Sequence, residues 1–326
     1  MEKLDNVSSK YCVTSLTDSF DKVLVTGGAG FIGSHLVERL VAEGVDVTVL
    51  DNLSTGRMEN LVNLLADRQP RFVRGDIRDN DAVCDAVEDV DAVFHLAAVT
   101  SVPFSVEHPK DTFEVNVDGT RSLLEACLRA GVERFVYASS CAVYGEPKYL
   151  PIDEGHPLSP VSPYAESKLK AEQLCREYHE TYGLKTTVLR PFNVYGPRQR
   201  NDEYSGVIAK FIDQLRGGKL PVICGDGLQT RDFVFVVDAV DAFLSALRSE
   251  AAVGRVINVG TGVPVSVNEL AQLLCGLFGF DSVDLLHVGE REGDIKHSYA
   301  DLKDMRLHLR FEPRISLKEG LLTIIG

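Results

Sequence analysis

Apolar residues in this chain fall into short solid runs, separated by longer stretches in which they recur every three to four positions. Lys22–Thr26 (KVLVT) is the first solid run and predicts a buried strand that enters a glycine-rich turn. A helical pattern follows from about Ile32 to Glu43, ended by Gly44, and Val45–Leu50 is a second strand. The alternation then continues: a strand at Phe72–Arg74, a helix at Asp79–Val87, a strand at Ala92–Leu96. A long helix from about Thr112 to Ala130 stops at Gly131, and Phe135–Ser139 is a strand. A second long helix runs from about Tyr164 to Tyr182, ends at Gly183, and leads to a strand at Thr186–Arg190. Strands that alternate with helices imply βαβ units joined by right-handed crossovers. The prediction is an α/β fold, a doubly wound parallel sheet of about seven strands.

After Pro191 the pattern loosens into proline, glycine and short strands (PFNVYGPRQ, LPVICGDG). Strand and helix return at Phe233–Leu247 and Val256–Val259. Three parts are therefore expected. Residues 1–20 form an N-terminal extension, and 21–190 a dinucleotide domain to which parts of 233–260 return. Residues 191–326 form a smaller, interleaved C-terminal substrate lobe. No internal repeat or low-complexity tract interrupts them.

Composition narrows the function classes. With 326 residues, 44% hydrophobic and 25% charged, the chain can bury a large core. A net charge of −14 argues against nonspecific nucleic-acid binding, which runs on cations, but leaves a phosphorylated small ligand open. The cysteines (Cys12, Cys84, Cys127, Cys141, Cys175, Cys224, Cys275) are odd in number and form no C-x-x-C pair. They read as free thiols of a reducing cytoplasm, with no disulfide framework and no metal site. The acidic start MEKLDNVSSK is no signal peptide, and no apolar run approaches the ~18 residues of a membrane span.

The glycine turn carries the first chemistry. Gly27-Gly28-Ala29-Gly30-Phe31-Ile32-Gly33 follows a strand and opens a helix, fitting G-x-G-x-x-G. Glycines there allow a tight turn, close approach to a pyrophosphate and helix–strand packing, and the helix start offers N–H donors. This makes the sheet Rossmann-type. Asp51 ends the next strand, where a carboxylate accepts from ribose hydroxyls and repels a 2′-phosphate, so NAD is favoured over NADP. Asp76 follows the third strand and reads either as a ligand of the adenine amino group or as a helix cap.

Tyr164 and Lys168, four apart at the start of a long helix, share one face. A nearby ammonium favours a phenolate, so the pair predicts a base that works near neutral pH. Alone, Y-x-x-x-K also fits a solvated helix face. Ser140, in SSCAVYG, lies at the C-terminal end of a parallel strand, where ligands of such sheets bind, and its hydroxyl could bond the reacting oxygen.

TGGAGFIGS, DNLSTG from Asp51, HLAA, NVDGT from Asn116, SSCAVYG, YAESK, RPFNVYGP and REGD occur in that order. Over about 22–320 the chain resembles the extended short-chain dehydrogenase/reductase family, and within it the UDP-sugar 4-epimerases. The resemblance implies an NAD-dependent isomerase. Tyr164 would take the proton of the sugar 4-hydroxyl while NAD accepts the C4 hydride. Ser140 would share that oxygen, and Lys168 would hold the nicotinamide ribose. The 4-keto sugar would rotate and take the hydride back on its other face. Beside Gly27, Gly30, Gly33, Asp51 and Asp76, the cofactor would meet Phe31, Ile32, Asn52, Ser54 and Gly56. It would also meet Ile77, Leu96, Ala97, Ala98 and Asn116, together with Tyr164 and Lys168.

For the substrate, the resemblance points to Thr100, Ser101, Ser140, Asn193, Gly206, Val207, Arg231, Arg291, Asp294 and Ser298. Arginine suits the diphosphate through its planar fork of donors. Small Ser298 stands where members restricted to glucose and galactose can carry a tyrosine. Thr100 and Gly206 replace their lysine and asparagine. A roomy pocket for a 2-N-acetyl group is thus implied, and UDP-GlcNAc/UDP-GalNAc is the expected pair. UDP-glucose/UDP-galactose is the alternative, followed by UDP-glucuronate. Related 4,6-dehydratases carry an Asp-Glu pair after the hydroxyl residue; here Cys141 and Ala142 stand there. A noncatalytic NAD-binding protein on the same fold is the reading from another class. The resemblance also implies a homodimer in which the helices over 112–130 and 164–182 form a four-helix bundle. No nucleic acid or membrane partner is expected.

Overall fold

The computed structural model describes residues 20–62, 69–200, 206–280, 284–290, 293 and 295–326. Most of the expected N-terminal extension, and the candidate residues Arg291 and Asp294, lie outside them. Along the chain come β1 (Lys22–Thr26), α1 (Phe31–Ala42), β2 (Asp46–Asp51), α2 (Glu59–Val62), β3 (Arg71–Arg74) and α3 (Asn80–Val87). Next are β4 (Ala92–His95), α4 (Val102–Glu107), α5 (Pro109–Phe113), α6 (Thr120–Ala130), β5 (Arg134–Ala138), α7 (Pro163–Tyr182) and β6 (Lys185–Pro191). Among the described residues one parallel sheet has seven strands, in the order β10-β6-β5-β4-β1-β2-β3, with β10 at Val256–Val259. The doubly wound α/β fold is therefore as expected. Its central strands are buried almost throughout and mostly apolar, because helices cover both faces. One face packs around Leu36, Leu40, Phe94 and Phe243, the other around Leu124, Phe135, Leu174 and Tyr178.

The stretch expected as one helix over 112–130 starts earlier, at Pro109, whose fixed φ suits a first helical position. It is also not uniform. Glu114–Gly119 is a π-helical turn between α5 and α6, and the wider turn carries Asn116 inward. Sequence periodicity does not report such a turn, because one wide turn barely disturbs the apolar spacing.

The lobe contains β7 (Asn193–Tyr195), α8 (Val207–Arg216), β8 (Val222–Cys224) and β9 (Thr230–Phe235). It also contains β11 (Pro264–Ser266), α10 (Val267–Leu277), β12 (Leu286–Val288), β13 (His297–Ser298) and α11 (Leu317–Ile325). Strand β9 is its hub, pairing with β7, β11 and β13. The chain runs from β9 straight into α9 (Val236–Arg248), which packs against α1, β5 and β6 of the large sheet. The sheet around β9 and the large sheet are thus joined through one continuous segment.

His95, wholly buried at the end of β4, bonds Thr26 Oγ1 of β1 (2.7 Å) and Thr120 Oγ1 of α6 (2.9 Å). Burial, aided by the Lys168 charge, pulls its pKa down to about 3. The unfolded chain then binds more protons than the folded one between that value and the free-histidine value of about 6.5, so stability falls as pH falls through this window. The His95 ring signal in an NMR titration should stay that of a neutral imidazole from pH 8 to 5. A midpoint near the free value would contradict this placement.

Candidate active site

Strand β1 connects to β2 on one side and lies beside β4 on the other, so the crevice at their C-terminal ends is the switch point of the sheet. Gly27 there has φ +70°, and a Cβ on it would sit 2.8 Å from the Ala97 nitrogen. The β1 turn therefore lies directly on the Leu96-Ala97-Ala98 end of β4. A Cβ on Gly33 would meet the Gly27 oxygen at 2.1 Å, which fixes how close α1 comes to the turn. Gly30, by contrast, would meet that oxygen at 3.1 Å. It is the N-cap of α1 and makes no side-chain cap bond, leaving the first turn's amides for a diphosphate. The Phe31 and Ile32 side chains lean onto the lobe's apolar cluster.

At the end of β2 the Asp51 carboxylate accepts from Ala29 N (3.0 Å) and Leu53 N (2.8 Å), and burial raises its pKa. A Cβ on Gly56 would lie 2.9 Å from both of its oxygens, so the Gly56 backbone walls the same corner. Asn52 donates to Asp76 (2.8 Å) and accepts from Ser54 N (2.9 Å). Arg78 bonds Asp76 through its backbone and guanidinium, holding that carboxyl down at about 2. Asp76 is not a helix cap: Asp79 caps α3, accepting from Asp81 N and Ala82 N. Ile77 is buried against the position of Gly119, where a Cβ would come within 2.7 Å of it. A glycine cradle on β1 and carboxylates at the ends of β2 and β3 fit the diphosphate, ribose and adenine of NAD.

Asn116 is held entirely within the chain. It bonds Val99 N and O (2.8 and 2.9 Å) and donates to Ser167 Oγ (2.9 Å), tying the loop after β4 to α7.

Ser140 stands at the end of β5 in extended backbone and caps a short turn over Cys141–Tyr144 by accepting from Ala142 N (3.2 Å). Its hydroxyl neighbours the phenol of Tyr164, the second residue of α7. Three contacts set that helix start: Pro163 at N1, a Ser162 cap on Ala165 N (3.2 Å), and Tyr164 N donating to Ser105 Oγ (3.1 Å). One turn on, Lys168 is buried and donates to Ala138 O (2.8 Å). The three candidate catalytic residues therefore converge.

The electrostatics differ from the expectation. Burial pushes the Tyr164 phenol up to about 12, with the neighbouring Ser140 hydroxyl pulling the other way. The expected lowering by Lys168 is not what dominates, because that side chain donates to the Ala138 carbonyl and burial outweighs it. Lys168 itself is drawn down to about 8 by burial, opposed by Glu172. Burial also pushes the Cys141 thiol up to about 12.

On the substrate side, Asn193 of β7 has a buried Oδ1 with no partner among the described residues, as expected of a group awaiting a ligand. Arg231 of β9 lies in register with Ser298 of β13, donates to Thr230 O (2.8 Å), and its charge reaches Cys141. Ser298 is buried. Gly206 and Val207 open α8, whose N-cap also lacks a side-chain bond. Thr100 is exposed, and Ser101 caps α4 through Phe104 N (3.1 Å). Among the described residues no cluster could hold a metal, and no helix is long and apolar enough to cross a membrane.

Sequence reading missed Ser105, Ser139, Glu172 and Arg190. Glu172 had a local signal, since it continues the four-residue spacing of Tyr164 and Lys168. The others reach the site only through tertiary folding.

A family model described as the NAD dependent epimerase/dehydratase family matches residues 23–260. The chain is 43% identical over 302 residues to the UDP-glucose 4-epimerase of Mycolicibacterium smegmatis, covering 92% of this chain and 96% of that one. It resembles the crystal structure of UDP-glucose 4-epimerase from Thermotoga maritima with UDP-glucose, at TM-score 0.88 and 39% identity over 93% of this chain and 97% of that one. It also resembles UDP-N-acetylglucosamine 4-epimerase from Methanobrevibacter ruminantium M1 in complex with UDP-N-acetylmuramic acid. There the TM-score is 0.87 and identity 39%, over 94% and 98% of the two chains.

The two glycines make separable predictions. Gly33→Ala forces backbone apart and should lower the melting temperature, at an overpacking cost of about 1–3 kcal/mol. Gly30→Ala should disturb the fold less yet reduce the NAD that co-purifies. Equal melting temperatures and equal NAD content would contradict this division of roles.

Proposed function

Because the chain belongs to the NAD dependent epimerase/dehydratase family, we propose that it inverts C4 of a UDP-sugar through a transient 4-keto sugar, with UDP-GlcNAc and UDP-GalNAc as its pair. The observation that carries this reading is the convergence of the Ser140 and Tyr164 hydroxyls, with Lys168 one turn on and an inert Cys141 alongside. NAD, when bound, supplies the hydride acceptor and a cationic ring that favours the phenolate. The Gly27–Gly33 turn holds its diphosphate, Asp51 its adenosine ribose, Asp76 its adenine, and Lys168 its nicotinamide ribose.

Tyr164 receives the proton of the 4-hydroxyl and later returns it, and Ser140 donates to the same oxygen. Arg231 and Asn193 orient the diphosphate end, joined by Arg291 and Asp294. Water loss across C5–C6 would need an acid and a base where Cys141 and Ala142 stand. A thiol held protonated and a methyl group supply neither.

Ser298 supports the N-acetylated pair, being small where it faces the sugar. UDP-glucose/UDP-galactose is the second reading, favoured by the Mycolicibacterium and Thermotoga relatives. Exposed Leu128 of α6 and Tyr182 of α7 support pairing of these helices across a homodimer axis. The free thiols of the described residues support a reducing, cytoplasmic setting.

Purified protein with no added NAD should convert UDP-GlcNAc faster than UDP-glucose. Ser298→Tyr should lower the UDP-GlcNAc rate more than the UDP-glucose rate. Tyr164→Phe should lose roughly 10²–10⁴-fold in turnover of either while keeping its NAD. Turnover of UDP-glucose alone would overturn the sugar assignment. Near-wild-type turnover by Tyr164→Phe would overturn the role of the phenol.

A further inference from the structure

Tyr164, Lys168 and Glu172 occupy successive turns of one α7 face, and Glu172 is as buried as the other two. Its carboxylate accepts from Ser139 Oγ, from Arg190 Nε (2.9 Å) and from the second Arg190 terminal nitrogen (2.6 Å). Ser139 is the backbone neighbour of Ser140, so the carboxylate ties the strand end bearing one hydroxyl to the helix bearing the other. Arg190 goes on to donate to Tyr144 OH (3.0 Å), which donates to Asn258 Oδ1 (2.7 Å).

The charges in this pocket are unequal in number. Lys168 and Arg190 are two buried cations; Glu172 pairs with Arg190 and stands one turn along α7 from Lys168. Lys168 is faced by Glu172 and Cys175 from α7, by His95 from β4 and by the Tyr137 ring of β5, 4.9 Å away. Glu172 in turn faces Lys168 and Cys175 on its own helix, Arg190 on β6, Tyr137 on β5, and Tyr144 and Ser139 after β5. His95 stays neutral and both thiols and phenols stay protonated through the physiological range, so Glu172 is the one described anion acting on Lys168.

We propose that Glu172 is a positioning residue of the active site: it is the counter-ion that keeps Lys168 an ammonium, and the clamp that holds Ser140 at the height of Tyr164. This rests on the epimerase reading only for what Lys168 does next. Without Glu172, two cations would share a water-poor pocket, and loss of the Lys168 proton would be the least costly response.

The test reads Lys168 directly. In the NAD-loaded protein carrying ¹³C-labelled lysine, with the Lys168 signal assigned by Lys168→Met, the titration midpoint is measured by NMR for wild type, Glu172→Gln and Glu172→Asp. The midpoint should fall by about one pH unit or more in Glu172→Gln and return toward wild type in Glu172→Asp. Removing one partner of a buried pair can unfold a protein. Glu172→Gln/Arg190→Gln therefore serves as the second variant, since it removes the guanidinium that Glu172 pairs with and leaves Lys168 the one cation there, and its midpoint should fall too. A midpoint unchanged in both glutamine variants would overturn the proposal. Because this readout needs no turnover, absence of epimerisation by the wild type would sink the functional reading alone.

Discussion

One approach, of the Ser140 hydroxyl at the end of β5 to the Tyr164 phenol at the start of α7, sets the geometry on which the site depends. It is kept only if the helix is held at one height above the sheet. Much of the surrounding structure serves that height. Ser105 takes the Tyr164 backbone N–H, Ser162 caps the helix, Lys168 reaches the Ala138 carbonyl, and Glu172 grips Ser139. Asn116, carried inward by the π-helical turn, ties α7 to the loop after β4. The loop bearing Thr100 and Ser101, the strand bearing Ser140 and the helix bearing Tyr164 are thus fixed against one another before any ligand arrives, which is the preorganisation that proton transfer requires.

Burial is the second constraint, and it acts on every ionisable group in the same direction, against charge. It raises the Tyr164 phenol and the Cys141 thiol and lowers Lys168. A dry pocket therefore keeps its thiols and phenols uncharged, and a phenol placed as Tyr164 is gives up its proton only where positive charge is added beside it. The Lys168 ammonium is directed at a backbone carbonyl, so under the proposed reading the further positive charge would come from NAD held by the glycine cradle and the Asp51 corner.

The parts legible in the sequence were those whose meaning is local. The spacing of Gly27, Gly30 and Gly33 after a strand, Asp51 at the next strand's end, and the four-residue step from Tyr164 to Lys168 each state a geometry within a few residues. The alternation of strands and helices gave the doubly wound sheet for the same reason. What was not legible depends on residues far apart. Asp76 stays a candidate cap until the helix start is seen, and Asp79 is then found in that place. Arg190 looks like a strand residue until β6 brings it beneath α7. The sign of the Tyr164 shift could not be read from a neighbouring lysine, because burial is a property of the whole fold.

The central claim is that C4 alone reacts, through a proton held by Tyr164 and a hydride that never exchanges with solvent. Proton NMR of the reaction run in deuterium oxide, with UDP-GlcNAc as substrate, tests it most directly. The account predicts that the C4 epimer appears with all of its carbon-bound hydrogens retained. Deuterium at C5 or C6, or loss of the C4 hydrogen, would contradict it.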